Sequence, residues 1–423
     1  MANARRLAVS ALLKVENDTA YSNITINNMF HGSDASNEER ALASAIFYGV
    51  LDRKITLDYV LNALMKAPFE KTAPYTKQVL RSGLYQIMYM DRIPQSAAVN
   101  ESVKLIKHSK ESRNTGFVNA VLRAALRNPI ELPNGDSPFE LSVRFSCPER
   151  IIKGFIRDYG TECTVELLKE SLKAPPTTLR VNNLKISAKD LMTEFLKQNI
   201  DCVECDVENA LEISGGINIG ENALYKKGFF HIQDTASQTA VGVLSPRPFE
   251  RVLDMCAAPG GKSFTIAELM EDKGEIIACD IYEHRTGLIA DGAKRLGLGI
   301  IKTKTADAAV YNRELGEFDR VLCDVPCSGL GVIRRKPEIK YKPYEDLSRL
   351  NELQYAILCN ASKYLKNGGR LLYSTCTLNK SENENITARF LSSHNGFSLM
   401  YERTYMPHKD KTDGFYCALI VKE

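Results

Sequence analysis

Three short stretches hold the residue types that could do chemistry: Asp254-Met-Cys-Ala-Ala-Pro-Gly-Gly-Lys262, Asp324-Val-Pro-Cys327 and Tyr373-Ser-Thr-Cys376. Each follows a run of strand character, so each is expected in a loop at the carboxyl end of a strand. The first is a glycine-rich turn opening a helical pattern, the device by which α/β folds hold a nucleotide-like group against a helix N-terminus. The other two supply thiols, and a thiolate can act as a covalent nucleophile. A lone cysteine at a strand end reads most simply as a small buried hydrophobe. Two of them, on the same sheet edge as the glycine turn, argue against that reading.

Four acidic residues, Asp254, Asp280, Asp307 and Asp324, stand at the ends of successive strand-like runs. In an open α/β sheet, ligands lie outside the carboxyl ends of the strands. An acid after the second strand, here Asp280, can accept hydrogen bonds from both ribose hydroxyls, and Asp307 after the third would lie near an adenine edge. One such aspartate is more simply a turn former or helix cap. Four in register after a Gly-Gly-Lys turn reverse that. The turn lacks the G-x-G-x-x-G of a dinucleotide site. It misses the P-loop pattern by one residue, with Cys256 in place of the first glycine. S-adenosyl-L-methionine gives the acidic strand ends a role that a P-loop does not.

Two thiols beside such a cofactor suggest a particular chemistry. Cytosine C5 is a poor nucleophile towards a methyl sulfonium. A thiolate added at C6 makes an enamine whose C5 can attack. The C5 proton must then leave and the thiolate must be eliminated. Cys376, Cys327 and Asp324 match by type the nucleophile, the group promoting release, and the contact to the base.

The elements that must position these residues follow in three parts. The helical period runs through residues 1–130, with Pro74 and Pro94 between helices, and predicts an all-α domain of five to seven helices. A polar linker carries Pro133-Asn134-Gly135-Asp136. Residues 139–233 are expected to form a small α+β subdomain, helical to about 173 and then with strands at 177–182, 211–214 and 229–232. From 234 to 423 strands alternate with helices, predicting a doubly wound parallel sheet. Strands are expected at 251–254, 275–280, 300–307, 318–324, 370–375 and 414–421, and helices at 262–271, 283–296, 345–366 and 381–392. A capping box, Ser381-Glu-Asn-Glu384, is expected to start the last helix.

Composition sets the remaining bounds. The 423 residues are 44% hydrophobic and 25% charged, as in an ordered globular protein, with a formal net charge of +3. Residues 1–150 hold 19 Lys+Arg against 15 Asp+Glu. The stretch 101–127, which includes Lys104 and Lys107, is six basic to two acidic. That excess can meet phosphate, although a solvated helix face explains it as well. No run approaches the ~20 apolar residues of a membrane span. The eleven cysteines, without framework spacing, point to reduced thiols and a cytoplasmic protein. Cys202 and Cys205 have no second Cys/His pair at zinc spacing, so no metal is expected.

The three loops together resemble the signatures of the RNA cytosine-5 methyltransferase family. Gly331-Val-Ile-Arg-Arg-Lys-Pro-Glu338 and the helical N-terminal domain are similar to its bacterial 16S rRNA branch. The resemblance covers essentially the whole chain. It implies a Rossmann-like class I methyltransferase domain, preceded by a NusB-like RNA-binding domain and the small α+β subdomain. It also implies S-adenosyl-L-methionine as cofactor, with 16S rRNA or a small-subunit assembly intermediate as partner. By position, Cys376 would be the covalent nucleophile, Cys327 would promote release and Asp324 would contact the cytosine amidine edge. Cys256, Ala257, Ala258, Pro259, Gly260, Gly261 and Lys262, with Asp280, Asp307 and Asp324, would hold the cofactor. Arg334, Arg335 and Lys336, with Lys104 and Lys107, are candidate RNA contacts. The target base would have to leave its stack to meet thiol and cofactor together. Two alternatives stand beside this reading: the same chemistry on tRNA, and a non-catalytic RNA-binding assembly factor.

Overall fold

Seven α-helices follow one another through the first part of the chain: Ala4–Asp18, Ser22–His31, Asn37–Asp52, Lys54–Leu64, Pro74–Tyr89, Gln95–Lys107 and Thr115–Arg127. The structure, a computed structural model, describes residues 4–18, 22–214, 218–342 and 347–423. The helices bury the apolar stripes read from the sequence, with Ile46, Phe47, Leu57, Leu61, Val79, Leu80, Val118 and Leu122 among the core. Ser36 caps the third helix in a capping box with Glu39. Arg81 is buried in this core and forks onto Asp58 at 2.7 and 2.8 Å.

Packing divides the chain into two units, Met1–Lys173 with Ile333–Pro343, and Ala174–Val332 with Tyr344–Glu423. Helices Pro138–Phe145, Glu149–Tyr159 and Thr161–Ser171 fall in the first unit. Ile333–Pro343 completes the first unit. Its Lys340 is 1% exposed and donates to the Asp52 carbonyl at 3.0 Å, and Tyr341 donates to the Leu51 carbonyl at 2.9 Å.

The second unit opens with a four-stranded antiparallel sheet of β1 (Thr177–Val181), β2 (Cys202–Glu204), β3 (Ala210–Ile213) and β4 (Phe230–Ile232), in the order β2-β3-β1-β4. Its apolar face packs Leu179, Val181, Leu211 and Phe230 against Leu191 and Phe195 of helix Ala188–Leu196. On the other side, Arg180 of β1 meets Glu268 at 2.7 Å, both buried.

The larger sheet has seven strands: β5 (Arg251–Asp254), β6 (Glu275–Asp280), β7 (Ile301–Thr305), β8 (Phe318–Asp324), β9 (Leu365–Thr375), β10 (Phe397–Tyr405) and β11 (Phe415–Lys422). Their order is β10-β11-β9-β8-β5-β6-β7. The ladders from β7 to β9 are parallel, and β11 runs antiparallel to both neighbours. The strand sequence reverses direction between β5 and β8, which opens a crevice at their carboxyl ends. Helices Gly261–Leu269, Glu283–Leu296, Leu347–Ser362 and Glu384–Ser393 fill the connections.

Three local expectations are corrected. Strands β2 and β10 were not anticipated. The expected capping box does not form: Ser381 lies in a 3-10 turn, Lys380–Glu382, and the helix starts at Glu384 after Asn383 with no side-chain cap. The strand expected to run to Asp307 ends at Thr305.

Candidate active site

Strand register explains how two cysteines 49 residues apart come to touch. β8 and β9 pair in parallel with Asp324 opposite Ser374. The chain leaves both strands at the same level, and Cys327 Sγ comes within 3.3 Å of Cys376 Sγ. Gly331 then returns to donate its N–H to the Cys376 carbonyl at 3.0 Å. Only glycine fits there, since an added Cβ would stand 1.9 Å from the Gly414 carbonyl oxygen. Cys327 is held well above the ordinary thiol range, first by its hydrogen bond to Cys376, then by burial and by the charges of Glu382 and Asp324. Either sulfur of the pair can serve as the donor in this contact.

Beside the thiols, Lys262 Nζ donates to Asp324 Oδ2 at 2.6 Å, and Ser374 Oγ donates to Asp324 Oδ1 at 2.9 Å. The lysine side chain is 14% exposed and the aspartate 29%. Burial lowers the Lys262 pKa, but Asp324, Cys376 and Asp254 together outweigh it and the ammonium is raised above its ordinary value. The glycine turn leads into helix Gly261–Leu269 through Gly260 at φ +110°, and a Cβ on Gly260 would lie 2.3 Å from the Phe264 ring.

Asp254 plays a different part from the other strand-end aspartates. It is fully buried and accepts from Ser263 Oγ at 2.6 Å, tying β5 to the helix. Burial pushes its carboxyl up to about 7. Cys256, also driven well above 9 by burial, is a poor nucleophile.

A cavity opens along this loop, lined by Cys256, Ala257, Ala258, Pro259, Gly261, Lys262 and Asp324. Gln233, Asp234 and Ser237 line it too, and sequence reasoning missed all three. Asp234 caps helix Thr235–Leu244 through the Ala236 N–H at 2.9 Å, so an Asp-Thr-Ala-Ser helix start was the available signal. Asp280 is 3% exposed and carries an ion pair with Arg285 at 3.1 Å. Arg285 also donates to the Ala258 carbonyl, and it too was missed. Asp307 is exposed, accepts from the Ala309 N–H at 2.9 Å as a turn former, and lines a second depression with Met255 and Cys279.

The candidate RNA contacts all fall in the first unit. Arg334, Arg335 and Lys336 belong to the segment Ile333–Pro343, and Lys104 and Lys107 close helix Gln95–Lys107. Lys104 pairs with Glu101 at 2.6 Å while staying largely exposed. Among the described residues no helix is long and apolar enough to cross a membrane, and no group of three or more His, Cys, Asp or Glu is placed to hold a metal ion.

The chain is similar to known families and proteins over its length. Residues 241–421 match the family described as 16S rRNA methyltransferase RsmB/F, residues 2–127 match the NusB family, and residues 147–220 match an RsmF/B-like ferredoxin-like domain. A probable ribosomal RNA small subunit methyltransferase B of Bacillus subtilis is 36% identical, the match covering 100% of this chain and 99% of that protein. The ribosomal RNA small subunit methyltransferase B of Proteus mirabilis is 30% identical over 100% and 99% of the two chains. The crystal structure of PH0851 superposes with a TM-score of 0.85 at 26% identity, covering 100% of this chain and 99% of that one. A methyltransferase homolog from Pyrococcus horikoshii gives a TM-score of 0.61 at 26% identity, over 69% of this chain and all of its own.

Proposed function

The chain belongs to the ribosomal RNA small subunit methyltransferase B family, and from that premise we propose that it is an S-adenosylmethionine-dependent RNA cytosine-5 methyltransferase acting on 16S rRNA. The observation that carries the proposal is the pair of sulfurs 3.3 Å apart, beside the Lys262–Asp324 ion pair and the glycine turn. The helical unit matching the NusB family, with its basic residues, supports RNA as the substrate class.

The turn suits the cofactor. Gly260 leaves no room for a side chain, the N-terminus of helix Gly261–Leu269 favours a carboxylate, and Asp280 presents a buried acidic group at the next strand end. Cys256 to Lys262, Asp280, Asp307 and Asp324 are the residues that would hold it. When bound, S-adenosylmethionine supplies a methyl group on an electrophilic sulfonium.

Cys376 adds its thiolate to C6 of the flipped cytosine, which turns C5 into an enamine carbon able to take the methyl group. Asp324 accepts from the amino group on the edge of the base, and Lys262 fixes that carboxylate in place. A base then removes the C5 proton. The C5–H electron pair re-forms the C5–C6 double bond, and the C6–S pair returns to Cys376. Cys327, in contact with the departing sulfur, promotes this last step.

The test is a Cys327→Ala variant incubated with substrate RNA and cofactor. It should accumulate a covalent protein–RNA adduct, and adding Cys376→Ala should abolish it. Adduct persisting in the double variant would remove Cys376 from its role. Bisulfite sequencing of rRNA from a deletion strain should show the loss of a single modified cytosine. Loss from tRNA instead would reassign the substrate.

A further inference from the structure

Glu382 is fully buried, and donors from both cysteine loops surround its carboxylate. Ser328, the residue after Cys327, gives it both its backbone N–H, at 2.8 Å, and its hydroxyl. Gln354 of helix Leu347–Ser362 donates to Glu382 at 3.0 Å and to the Pro326 carbonyl at 2.9 Å, so both neighbours of Cys327 are held through one side-chain pair. From the Cys376 loop, Asn379 donates to the carboxylate at 3.2 Å, and the Thr377 hydroxyl meets that of Ser328 at 2.7 Å. Tyr373, at the end of β9, donates to the carbonyl of Glu382 at 2.6 Å.

Among the described residues, all donors to this carboxylate are uncharged. A buried carboxylate without a cation is costly unless it is well hydrogen-bonded, and a loop tie alone does not require the charge. The charge itself therefore calls for a role. Around Cys327 stand Cys376, Glu382, Asp324 and Tyr373, while the nearby cation, Lys262, interacts with Cys376. Among the described residues, two of the four hydrogen bonds to the Glu382 carboxylate come from Ser328, the residue after Cys327, which sets its charge against the Cys327 loop.

We propose that Glu382 is a positioning residue: it clamps the Cys327 loop to the Cys376 loop, and its charge directs the pair's shared proton to Cys327, leaving Cys376 as the thiolate. The proposal deepens the methyltransferase reading and rests on Cys376 being its nucleophile.

The experiment uses the full chain with Glu382→Gln, which keeps the shape and removes the charge. Limited iodoacetamide alkylation between about pH 6 and pH 9, followed by peptide mass spectrometry, gives the ratio of Cys327 to Cys376 labelling. The unmodified protein should label at Cys376 first. In the variant, the Cys327 share should rise by about tenfold near neutral pH, the change expected from one pKa unit in a thiol. Methyl transfer should fall by about a hundredfold, as for a misplacement of about 1 Å at reacting atoms. Glu382→Asp, which restores the charge, should bring back the Cys376-first order. If Glu382→Gln does not fold, Gln354→Leu should move the ratio the same way by loosening the Pro326 tie. An unchanged labelling ratio in a folded variant overturns the proposal. Absence of methyl transfer in the unmodified protein would overturn the enzymatic reading instead, and the labelling ratio separates the two failures.

Discussion

Asp254 should make the stability of the β5 region depend on pH, and Asp254→Asn should remove that dependence. The carboxyl is 0% exposed, accepts one strong hydrogen bond from Ser263, and is pushed up by burial to about 7 from an ordinary 3.8. A folded-state pKa raised in this way gives stability that is full below the unfolded value and is lost as pH rises through the folded one. Between about pH 4 and pH 7 the unfolded chain has released the proton while the folded chain still holds it. Each pH unit in that window then removes about 1.4 kcal/mol, or about 4 kcal/mol in all, and above about pH 7 the loss is complete. Asparagine keeps an oxygen for Ser263 and never ionises, so the variant gains on the parent as pH rises. Hydrogen exchange read by mass spectrometry on peptides spanning Arg251–Asp254 and Gly261–Leu269 reports this region directly. Comparing the two proteins at each pH cancels the intrinsic exchange rate. The protection ratio of variant to parent should grow about tenfold per pH unit up to about pH 7 and then level off. A ratio independent of pH would refute the assignment of a buried, high-pKa carboxyl to this position.

Three further outcomes follow from the same geometry. Arg180→Met should destabilise the second unit by about 3–5 kcal/mol, because it strands the buried Glu268 charge; the thermal unfolding transition of that unit checks it. Gly331→Ala should cut methyl transfer sharply while leaving circular dichroism intact, since the new methyl meets the Gly414 carbonyl oxygen at 1.9 Å and the Cys376 carbonyl oxygen at 2.8 Å. Arg285→Ala should weaken S-adenosylhomocysteine binding, measured by calorimetry, by roughly tenfold, the scale of one lost charge-assisted hydrogen bond, because Asp280 loses its ion pair beside the turn.

The parts of the fold most legible in the sequence were those whose information is local. β5, β6 and β8 run over the residues expected, because buried parallel strands are apolar runs and each here ends in aspartate. β2 and β10 lie at sheet edges with largely exposed side chains, so no apolar run announces them. The amphipathic pattern of 139–173 identifies helices without saying which core they cover. At the site, residue types and strand ends pointed to Cys376, Cys327, Asp324 and the glycine turn. The contact between the sulfurs depends on the β8–β9 register, which no local window contains. Glu382 escaped for the same reason. Ser381-x-x-Glu384 is a sound local cap pattern, but Glu382 is drawn inward by Ser328, 54 residues away, and Gln354, 28 away.

The segment Ile333–Pro343 begins two residues after Gly331, which braces the Cys376 carbonyl, and it packs with the helical unit before the chain returns to the second. The backbone therefore crosses between the units three times, so no single cut separates them. A truncated chain begun at Ala174 would keep Lys340 and Tyr341 while discarding Asp52 and Leu51, the residues that accept from them. An ammonium and an aromatic ring suited to an interior would then face water in the segment that follows the Cys327 loop. The helical unit is accordingly interlaced with the methyltransferase sequence, and the two must be expressed, evolved and engineered together.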